Sequence, residues 1–520
     1  MDPSKERGSH DRVEEVESPI VIDQGNGAVL LDISQGKSEL GAANLKLSKD
    51  GHTVLIPQPS ADPNDPLNWS ELKKHLILVT IAVAAFQSDF QTAVGVPGLI
   101  AQGIEWNLSP THVNYAGNLN VLMNGIGGVF WMPFIYFWGR APVLFWVTFT
   151  GAFLTLGVCL VEDFTGFYAL RALTGFFVSG SLTVGLAFIQ DMFFLHEQAR
   201  KIGIWFAIFN TCVYFAPMLG YYIMAGTGNW RATFWMAFGL ETFVVMLIVL
   251  FIDETCYRRD KTITEQPSRG NRLLRLTGIW QIRVHRQYFA SVYGSFLRLL
   301  HILYKPVVLP MYLFYFLSCM WAIGINQSTS ILFSLPIEMG GYGMSMYALG
   351  HLYWAPIIAI IIGEILGNWA NDFVARRYVQ KHGGIFKPEA RLLPVYFTLI
   401  LTAPGLIIVG QAIQHRLSWA PVAFGWGMYT AATMIFSPPL MAYALDSYPN
   451  AAGELSAWFN FSRVIGGFSV AYYQQAWGQN AGFDVSFGIQ AAIAGAAGLI
   501  ILFLQLYGER LRARGGVYKV

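Results

Sequence analysis

Long apolar runs constrain this chain more than any other feature of its sequence. A helix of about 20 apolar residues crosses the hydrocarbon core of a bilayer, which is about 30 Å thick. Only 13% of the residues are charged, against about 25% in soluble proteins. The sequence therefore predicts an all-α membrane protein with twelve transmembrane helices, at residues 74–98, 116–138, 143–162, 167–190, 201–224, 232–252, 308–334, 346–371, 392–413, 420–442, 453–475 and 483–507.

The runs fall into two sets of six, separated by the basic segment "DETCYRRDKTITEQPSRGNRLLRLTGIWQIRVHRQ". This spacing predicts two six-helix bundles, at residues 71–252 and 307–507, joined by a cytosolic connector at 253–306. Residues 1–70 are polar and of mixed charge, so they are predicted to be a disordered cytosolic tail. Residues 508–520 are predicted to be a shorter cytosolic tail.

Basic residues indicate which loops face the cytosol, because Lys and Arg near helix ends tend to stay on that side. One set of loops collects these residues, whereas the opposite loops contain only Arg231 and Arg416. Both termini lie on the basic side and are predicted to be cytosolic. The sequon "NLS" at Asn107 falls in an opposite, external loop and is the expected glycosylation site.

Several segments carry a family resemblance when they are read in order along the twelve runs. They include "DPNDPLNWSELKKH" before the first run, "RALTGF" at the fourth, "GNWANDFVARRYVQKHGGIFKPEARL" at the eighth and "LDSYPNAAGELSAWFNFSRVIGGF" at the eleventh. The chain resembles the major facilitator superfamily, and within it the fungal members of the drug:proton antiporter branch. The resemblance covers about residues 55–510. It implies the major facilitator fold, with a small-molecule substrate and protons as partners.

The resemblance also implies charged gates in the loops after helices 2 and 8. In the first loop, Tyr136 and Phe137 stand where the family has an acidic residue and its first Arg. In helix 5, Ala216 replaces the first Gly of the antiporter motif, although Pro217 and Gly220 remain. Because Tyr136 and Phe137 remove two charges from the loop after helix 2, we expect the charged latch to rest mainly on the C-terminal half. The gate candidates are Gly139, Arg140, Asp372, Arg376, Arg377 and Asp446.

Asp89 lies inside the first apolar run, where a charged group is costly unless it faces a cavity or a partner. Helix rise places Asp89 and Arg171 at similar depths, roughly 21 and 22 Å from the cytosolic edge. We expect the two side chains to face each other in the N-terminal bundle. Such a pair either takes up and releases a proton during transport or is a permanent salt bridge between helices 1 and 4.

Two further ionisable residues lie within the predicted helices. Glu364, beside Gly363 and Gly367 on helix 8, is either another proton-coupling group or a packing residue on a small-residue face. Arg463, near the centre of helix 11, either attracts a substrate anion or pairs with Glu364. The alternative for Arg463 is a structural role in capping a neighbouring helix.

Polar and aromatic residues on several helices are candidates for a substrate cavity. Aromatic surfaces with a few hydrogen-bonding groups suit a partly apolar organic ligand, although core packing explains any single aromatic at least as often. Together with Arg463, the candidates are Asn124, Asn210, Trp321, Asn326, Gln327, Trp426 and Tyr429.

Motifs of several other protein classes are absent from the sequence. There is no GxxxxGK[ST], no HExxH and no GxSxG in a strand-to-helix setting, so neither an enzyme nor a cofactor or metal site is predicted. The net charge of +2 gives no overall field for nucleic acid.

The leading hypothesis is a proton-coupled secondary transporter that exports a drug, toxin or secondary metabolite by alternating access. One alternative keeps the fold and reverses the flow: a proton symporter that takes up a nutrient or an organic cation such as a polyamine. Another is a membrane receptor or structural protein that transports nothing, against which the intramembrane Asp89 and Arg171 argue. We expect a monomer in the plasma membrane.

Overall fold

The computed structural model describes residues 21–23, 29–31, 55, 57–259, 261–334, 341–381, 387–448 and 451–516. Within these ranges, twelve helices have 21 residues or more, and most of each predicted run lies on one of them. They are α1 Glu71–Ala93, α2 Pro110–Phe137, α3 Arg140–Leu160, α4 Phe164–Met192, α5 Leu195–Thr227, α6 Arg231–Phe251, α7 Val308–Thr329, α8 Trp354–Lys381, α9 Leu393–Gln414, α10 Trp419–Ser447, α11 Ala452–Ala481 and α12 Phe483–Gly515.

Shorter elements lie between and before the long helices. Four are α-helical, Leu99–Trp106, Arg272–Thr277, Val292–His301 and Met346–Leu352. Single turns of 3₁₀-helix occur at Pro66–Asn68, Val96–Gly98, Ile263–Glu265, Arg286–Tyr288, Ile302–Tyr304 and Pro388–Leu392, and π-helical turns occur at Trp280–Val284 and Ser330–Ser334. Strands β1 Val21–Asp23 and β2 Val29–Leu31 pair antiparallel, with Val21 opposite Leu31.

Local sequence fixes where several of these helices begin. The side chains of Ser70, Ser109 and Asp163 each accept a hydrogen bond from the backbone N–H three residues later, so they cap α1, α2 and α4. After Ala93, α1 gives way to a turn that contains Pro97, a residue that cannot donate a backbone hydrogen bond.

Ten described helical segments are long and apolar enough to cross a membrane. The other two long helices, α10 and α11, have 29 and 30 residues and are long enough, but their mean hydropathy is lower. In α11, Glu454 and Gln474 are buried within the protein, so this helix has less need of an apolar surface. The twelve helices together form the predicted all-α membrane fold.

The helices form two bundles, as the sequence predicted. In the N-terminal bundle, α1 packs against α4, α5 and α6, while α4 also packs against α2 and α3. In the C-terminal bundle, α10 packs against α8 and α9, while α7 and α9 pack against α11 and α12, respectively. The bundles meet where α2 packs against α11 and where α5 packs against α8.

Glycines allow the close approach of α2 and α11. A Cβ atom at Gly125 would lie 3.0 Å from Val464, and Gly453 lies directly against Met132. Small residues of this kind let membrane helices approach along their backbones. The seam between α2 and α11 therefore runs along most of their length.

The prediction of a disordered tail is wrong for residues 57–70. Asp65 is fully buried and accepts a hydrogen bond from Arg259 at 3.1 Å, while Tyr257 Oη donates to Asp62 at 3.3 Å. Leu67 is also buried, so the segment gains apolar contacts as well as ion pairs with the connector. The tail residues 1–20, 24–28, 32–54 and 56 lie outside the described residues.

The short tail predicted after residue 507 is also wrong as far as Gly515, because α12 continues to that residue. In this extension Arg512 Nη2 pairs with Glu389 at 2.6 Å, which ties the end of α12 to the turn before α9. Residues 517–520 lie outside the described part of the chain.

Candidate functional site

A cavity lies between the two bundles. Among its lining residues, Asp89 and Arg463 are the only charged ones, and amides and a hydroxyl supply further hydrogen-bonding groups. Aliphatic side chains complete the wall, a combination that suits a partly apolar organic molecule. The lining consists of Asp89, Thr92, Ala93, Val121, Asn124, Val213, Ile323, Asn326, Gln327, Arg463 and Val464.

An ion pair in this cavity joins the two bundles. Arg463 Nη2 on α11 donates to Asp89 Oδ2 on α1 at 3.2 Å and to Asn460 Oδ1 at 2.9 Å. Asp89 is only 5% exposed, so water screens the pair weakly. The attraction favours the arrangement in which the bundles touch here. The predicted pairing of Arg463 with Glu364 is wrong, because Arg463 pairs with Asp89 instead.

Arg171 binds the end of α1 rather than the Asp89 carboxylate, so the predicted Asp89–Arg171 pair is wrong. Its Nη1 donates to the Gln91 carbonyl at 2.7 Å and its Nη2 to the Thr92 carbonyl at 3.0 Å. The guanidinium also lies 5.3 Å from the centre of the Phe234 ring. Arg171 therefore caps the C-terminal end of α1, where carbonyls lack helical partners and the helix dipole favours a cation.

Three predicted amides line the cavity. Asn124 Nδ2 donates to Thr92 Oγ1 at 3.3 Å, which links α2 to α1. Asn326 Nδ2 on α7 donates to the Val213 carbonyl on α5 at 3.1 Å, a second polar contact between the bundles. Gln327 lines this cavity and also the neighbouring one on the external side.

Four other candidates do not line the cavity. Trp426 is fully buried between the rings of Tyr353 and Tyr214, at centroid distances of 5.1 and 5.7 Å, and Tyr429 donates to the Ser318 carbonyl at 2.5 Å. These aromatics pack into an apolar cluster that contains residues of both bundles, so core packing accounts for them. The residues wrongly predicted to line the cavity are Asn210, Trp321, Trp426 and Tyr429.

Glu364 lies away from the cavity on α8. Its Oε1 accepts a hydrogen bond from Asn368 at 3.0 Å, and its Oε2 has no hydrogen-bond partner among the described residues. A Cβ atom at the neighbouring Gly363 would lie 2.7 Å from Met434 on α10, so the small-residue packing face is present. A proton-coupling role for Glu364 stays a prediction.

At the predicted cytosolic ends, Arg140 belongs to a cluster in the N-terminal bundle. Its Nε pairs with Asp191 at 3.0 Å, and its backbone N–H donates to Glu254 at 3.2 Å. Gly139, with φ at 98°, lies so close to Glu254 that a side chain would collide with the carboxylate. Burial raises the pKa of Glu254, an effect that Arg140 and backbone N–H groups oppose.

The C-terminal bundle holds a matching contact, in which Arg391 Nε pairs with Asp446 at 2.5 Å. Arg377 is exposed and lies 5.8 Å from the centre of the Phe373 ring. The side chains of Asp372 and Arg376 lie outside the described part of the structure. Charged clusters therefore occur in both halves of the described structure. The expectation that the latch rests mainly on the C-terminal half stays a prediction.

Tyr136, which departs from the family pattern, contacts the other bundle. Its hydroxyl donates to Glu454 on α11 at 3.5 Å, and Arg298 of the helix Val292–His301 pairs with the same carboxylate at 3.0 Å. The Arg298 guanidinium lies 4.7 Å from the centre of the Tyr136 ring. We call Tyr136, Arg298 and Glu454 the cytosolic latch, since they join both bundles through the connector.

The bundles also meet at their predicted external ends. Leu99, Val113 and Ile331 form a buried apolar cluster that joins α2 to the turn after α7, and Thr111 Oγ1 on α2 donates to Gln475 on α11 at 3.1 Å. A second, smaller cavity adjoins this cluster. The central cavity therefore lies between contacts at both ends of the interface.

The external loops account for one exception to the charge pattern. Arg231 pairs with Glu105 at 2.7 Å and donates to the Val161 carbonyl at 3.1 Å, so its charge is locally compensated. Asn107 is exposed and adopts φ 54°, a left-handed conformation that Asn tolerates well. Its position is accessible to a glycan.

The sequence-based prediction missed Glu241 on α6. This residue is fully buried, and Thr155 Oγ1 on α3 donates to its Oε2 at 2.6 Å. Glu241 is the only charged residue in α6 after Arg231, so the criterion that selected Asp89 would also have found it.

Known proteins resemble this chain over most of its length. The family model described as Major Facilitator Superfamily matches residues 77–471. The Cycloheximide resistance protein of Candida maltosa is 23% identical, in an alignment that covers 89% of this chain and 85% of that protein. The MFS antiporter QDR3 of Candida albicans is 22% identical, with 88% and 81% covered.

A solved structure shows the same fold. The proton:xylose symporter XylE, bound to 6-bromo-6-deoxy-D-glucose, superposes with a TM-score of 0.59. The match covers 84% of this chain and 96% of that chain at 15% identity. At this identity the likeness is one of architecture.

Proposed function

Because this chain belongs to the Major Facilitator Superfamily, we propose that it is a proton-coupled transporter that exports an organic small molecule by alternating access. It is a multi-pass membrane transporter and not an enzyme. The observation that carries the finer proposal is the Asp89–Arg463 ion pair in the central cavity. This ion pair joins the two bundles through a carboxylate that can bind a proton. Alternating access requires these bundles to move relative to each other.

Protonation of Asp89 changes this contact directly. The ionised carboxylate holds Arg463, whereas the neutral acid loses most of that attraction, so the bundles can separate on one side. Arg463 keeps its charge in either state and retains Asn460 as an acceptor. A proton on Asp89 therefore favours conformations that the ion pair resists.

Competition for the same carboxylate supports exchange in opposite directions. Asp89 is the one acidic group among the cavity-lining residues, so a substrate with a positive charge or strong hydrogen-bond donors binds best when Asp89 is ionised. A proton and such a substrate exclude each other, which is the requirement for antiport. Asn124 and Asn326 would then orient the substrate through its polar groups.

The relatives support export of an organic compound. One carries a name for cycloheximide resistance and another is called an antiporter. The second candidate is proton-driven uptake of an organic cation, which the acidic Asp89 would also attract. The direction of the proton flux separates the two candidates.

We propose the plasma membrane as the location, with both termini in the cytosol. The basic residues on one set of loops support this orientation, and the ion pair of Arg231 with Glu105 explains why an external Arg is tolerated. A monomer is sufficient, since the cavity is lined by one chain.

Inside-out vesicles with an acidic lumen test the proposal. Rhodamine 6G, a fluorescent organic cation, and labelled spermidine are the probes, and Asp89→Asn is the comparison variant. We expect the dye to accumulate in the lumen while protons leave it, and the variant to lose this accumulation. Movement of spermidine together with protons would support uptake instead. If neither probe nor a panel of organic cations moves protons, the transport proposal is contradicted.

A further inference from the structure

We propose that Glu241 is a second proton-binding group, whose protonation depends on the position of α1. This inference rests on the proposed proton-coupled transport and extends it from one carboxylate to two. Asp89 faces the cavity from one side of α1. Glu241 accepts a hydrogen bond from Thr155, which in turn accepts one from Gln91, and Gln91 lies two residues after Asp89 in α1. Two residues correspond to about 200° of rotation in an α-helix, so the carboxylates serve opposite sides of α1.

The surroundings of Glu241 contain no compensating charge. Its side chain is fully buried on α6 and packs against Gly151 of α3, where a Cβ atom would collide with Oε1. Within the described part of the chain, no Lys, Arg or His lies within 4.0 Å of its carboxylate. The facing groups are Thr155 and the titratable Cys159 from α3, and Gln87 from α1.

A carboxylate in this position holds a proton. Burial of an unpaired charge costs several kcal/mol or more, and one hydroxyl donor offsets only a small part of this cost. Oε1 has no hydrogen-bond partner among the described residues, so the ionised form would be poorly solvated. In the conformation described here, Glu241 is therefore a neutral carboxylic acid.

A chain of hydrogen bonds connects Glu241 to the central site. Gln91 Nε2 donates to Thr155 Oγ1, and the Gln91 carbonyl accepts from Arg171 at 2.7 Å. Arg171 also holds the carbonyl of Thr92, whose side chain lines the cavity with Asp89. A movement of α1 that breaks the Asp89–Arg463 pair would thus also displace Gln91, which is hydrogen-bonded to Thr155, the hydroxyl donor of Glu241.

This linkage gives Glu241 a role in the transport cycle. When α1 shifts against α3 and α6, water can reach the carboxyl group, which then releases its proton to water and becomes a carboxylate. Return of α1 excludes water and restores the neutral acid. Each cycle would then move one proton through Asp89 and one through Glu241.

The first test is infrared spectroscopy of the purified protein at about pH 7. We expect the C=O band of a protonated carboxylic acid, and we expect Glu241→Gln to remove it. Glu162→Gln is the matched control, because Glu162 is exposed to solvent and its loss should leave the band unchanged. If Glu241→Gln leaves the band intact, the inference is overturned.

The second test measures the proton-to-substrate ratio in proteoliposomes with the membrane potential clamped at zero. Gln keeps the volume and the contact with Thr155 but cannot release a proton. We expect Glu241→Gln to lower the accumulation of rhodamine 6G by about tenfold per unit of pH gradient, the value of one proton. An unchanged ratio would overturn a role in coupling and leave Glu241 a structural acid.

These outcomes separate the inference from the proposed function. If the wild-type protein shows no proton-coupled accumulation, the proposed function fails, while the infrared band still reports the protonation of Glu241. If Glu241→Gln does not fold, Thr155→Val replaces it. That variant keeps the acid but removes its hydroxyl donor, so the C=O band should shift in frequency. A band that does not shift would contradict the assignment.

Discussion

Three residues near the end of α1 organise the polar chemistry of the N-terminal bundle. Asp89 turns to the cavity and pairs with Arg463 of the other bundle. Gln91 and Thr92 offer their carbonyls to Arg171, which fixes the end of the helix. Single substitutions can therefore distinguish Asp89, which is proposed to bind a proton, from Arg171, which positions the end of α1.

The Asp89–Arg463 pair should show strong energetic coupling. Arg463→Gln leaves a buried carboxylate without its partner, and loss of one partner of a buried pair costs about 3–5 kcal/mol. Asp89→Asn together with Arg463→Gln removes both charges and should recover most of the lost stability. Thermal unfolding in detergent measures the cycle. Additive losses in the double variant would contradict a direct pair.

Arg171→Lys tests the positioning role. Lysine keeps the positive charge but lacks the planar guanidinium group that donates hydrogen bonds to both the Gln91 and the Thr92 carbonyls. We expect a loss of stability of about 1.5–3 kcal/mol, the value of one hydrogen bond to a charged group. The pH dependence of transport should keep its shape, because Arg171 does not bind the Asp89 carboxylate. A variant of normal stability that no longer responds to a pH gradient would contradict this role.

At the scale of elements, the connector holds together the face of the molecule that is predicted to be cytosolic. The helix Val292–His301 contributes Arg298 to the cytosolic latch, and the segment 57–70 packs on the connector residues 257–275. Trp69 in this segment lies under Lys73 and Arg269, whose charged groups are 3.5 and 5.1 Å from the centre of its ring. The connector thus contacts the C-terminal bundle through Arg298 and the segment 57–70 through a different set of residues.

The latch should control access to the helix Val292–His301. Glu454→Gln removes the charge that Arg298 pairs with, so the helix should leave its position more often. A cysteine introduced at Ser295, which is 2% exposed, reports this through its labelling rate with a membrane-impermeant maleimide in inside-out vesicles. We expect an increase of about tenfold, equal to about 1.4 kcal/mol. The control is Glu509→Gln, an exposed acid on the same face, and equal rates in the two variants would contradict the latch.

Acid should loosen the connector through Asp253. Burial alone would raise the pKa of Asp253, but Arg275, Arg269 and Lys73 lower it below its usual value. A lowered pKa in the folded state means that the stabilisation is present above the unfolded value of about 3.9 and is lost as the pH falls through the folded value. Hydrogen exchange of residues 57–70 should therefore rise as the pH falls below about 4.

Asp253→Asn is the matched variant for this prediction. Its hydrogen exchange in residues 57–70 at neutral pH should already resemble that of the acidified wild-type protein, after correction for the intrinsic exchange rate. Wild-type-like protection in this variant at neutral pH would show that the ion pairs with Arg275 and Arg269 do not hold the segment.

At the scale of the whole molecule, the apolar runs predicted the architecture well because the bilayer sets the length of every spanning helix. Depth along the membrane normal followed from the same counting. The rotation of each helix about its own axis could not be predicted in this way. For this reason Asp89 was predicted to pair with Arg171 instead of Arg463. The predicted aromatic lining failed for a related reason, since Trp426 and Tyr429 point into an apolar cluster shared by the two bundles and not into the cavity.

Contacts between residues far apart in the sequence also could not be predicted from local composition. Residues 57–70 look like a polar tail, but Asp65 has a basic partner in Arg259, 194 positions later. Glu241 differs from these cases, because an isolated acid in an apolar run was visible from the sequence alone. The amides Asn124, Asn326 and Gln327 do line a cavity, as expected for buried polar side chains in spanning helices, and their role in substrate binding stays a prediction.

Pulsed electron paramagnetic resonance tests most directly whether protonation of Asp89 releases the two bundles. Spin labels at the exposed Leu72 and Leu506 report the predicted cytosolic side, and labels at Ile104 and Trp419 report the external side. We predict that acidification from about pH 8 to about pH 5 changes the distances on both sides in opposite directions in the wild-type protein. Asp89→Asn should show the acid-state distances at both pH values and lose most of the shift. The central claim would be contradicted if Asp89→Asn retained the full pH-dependent shift of the wild-type protein.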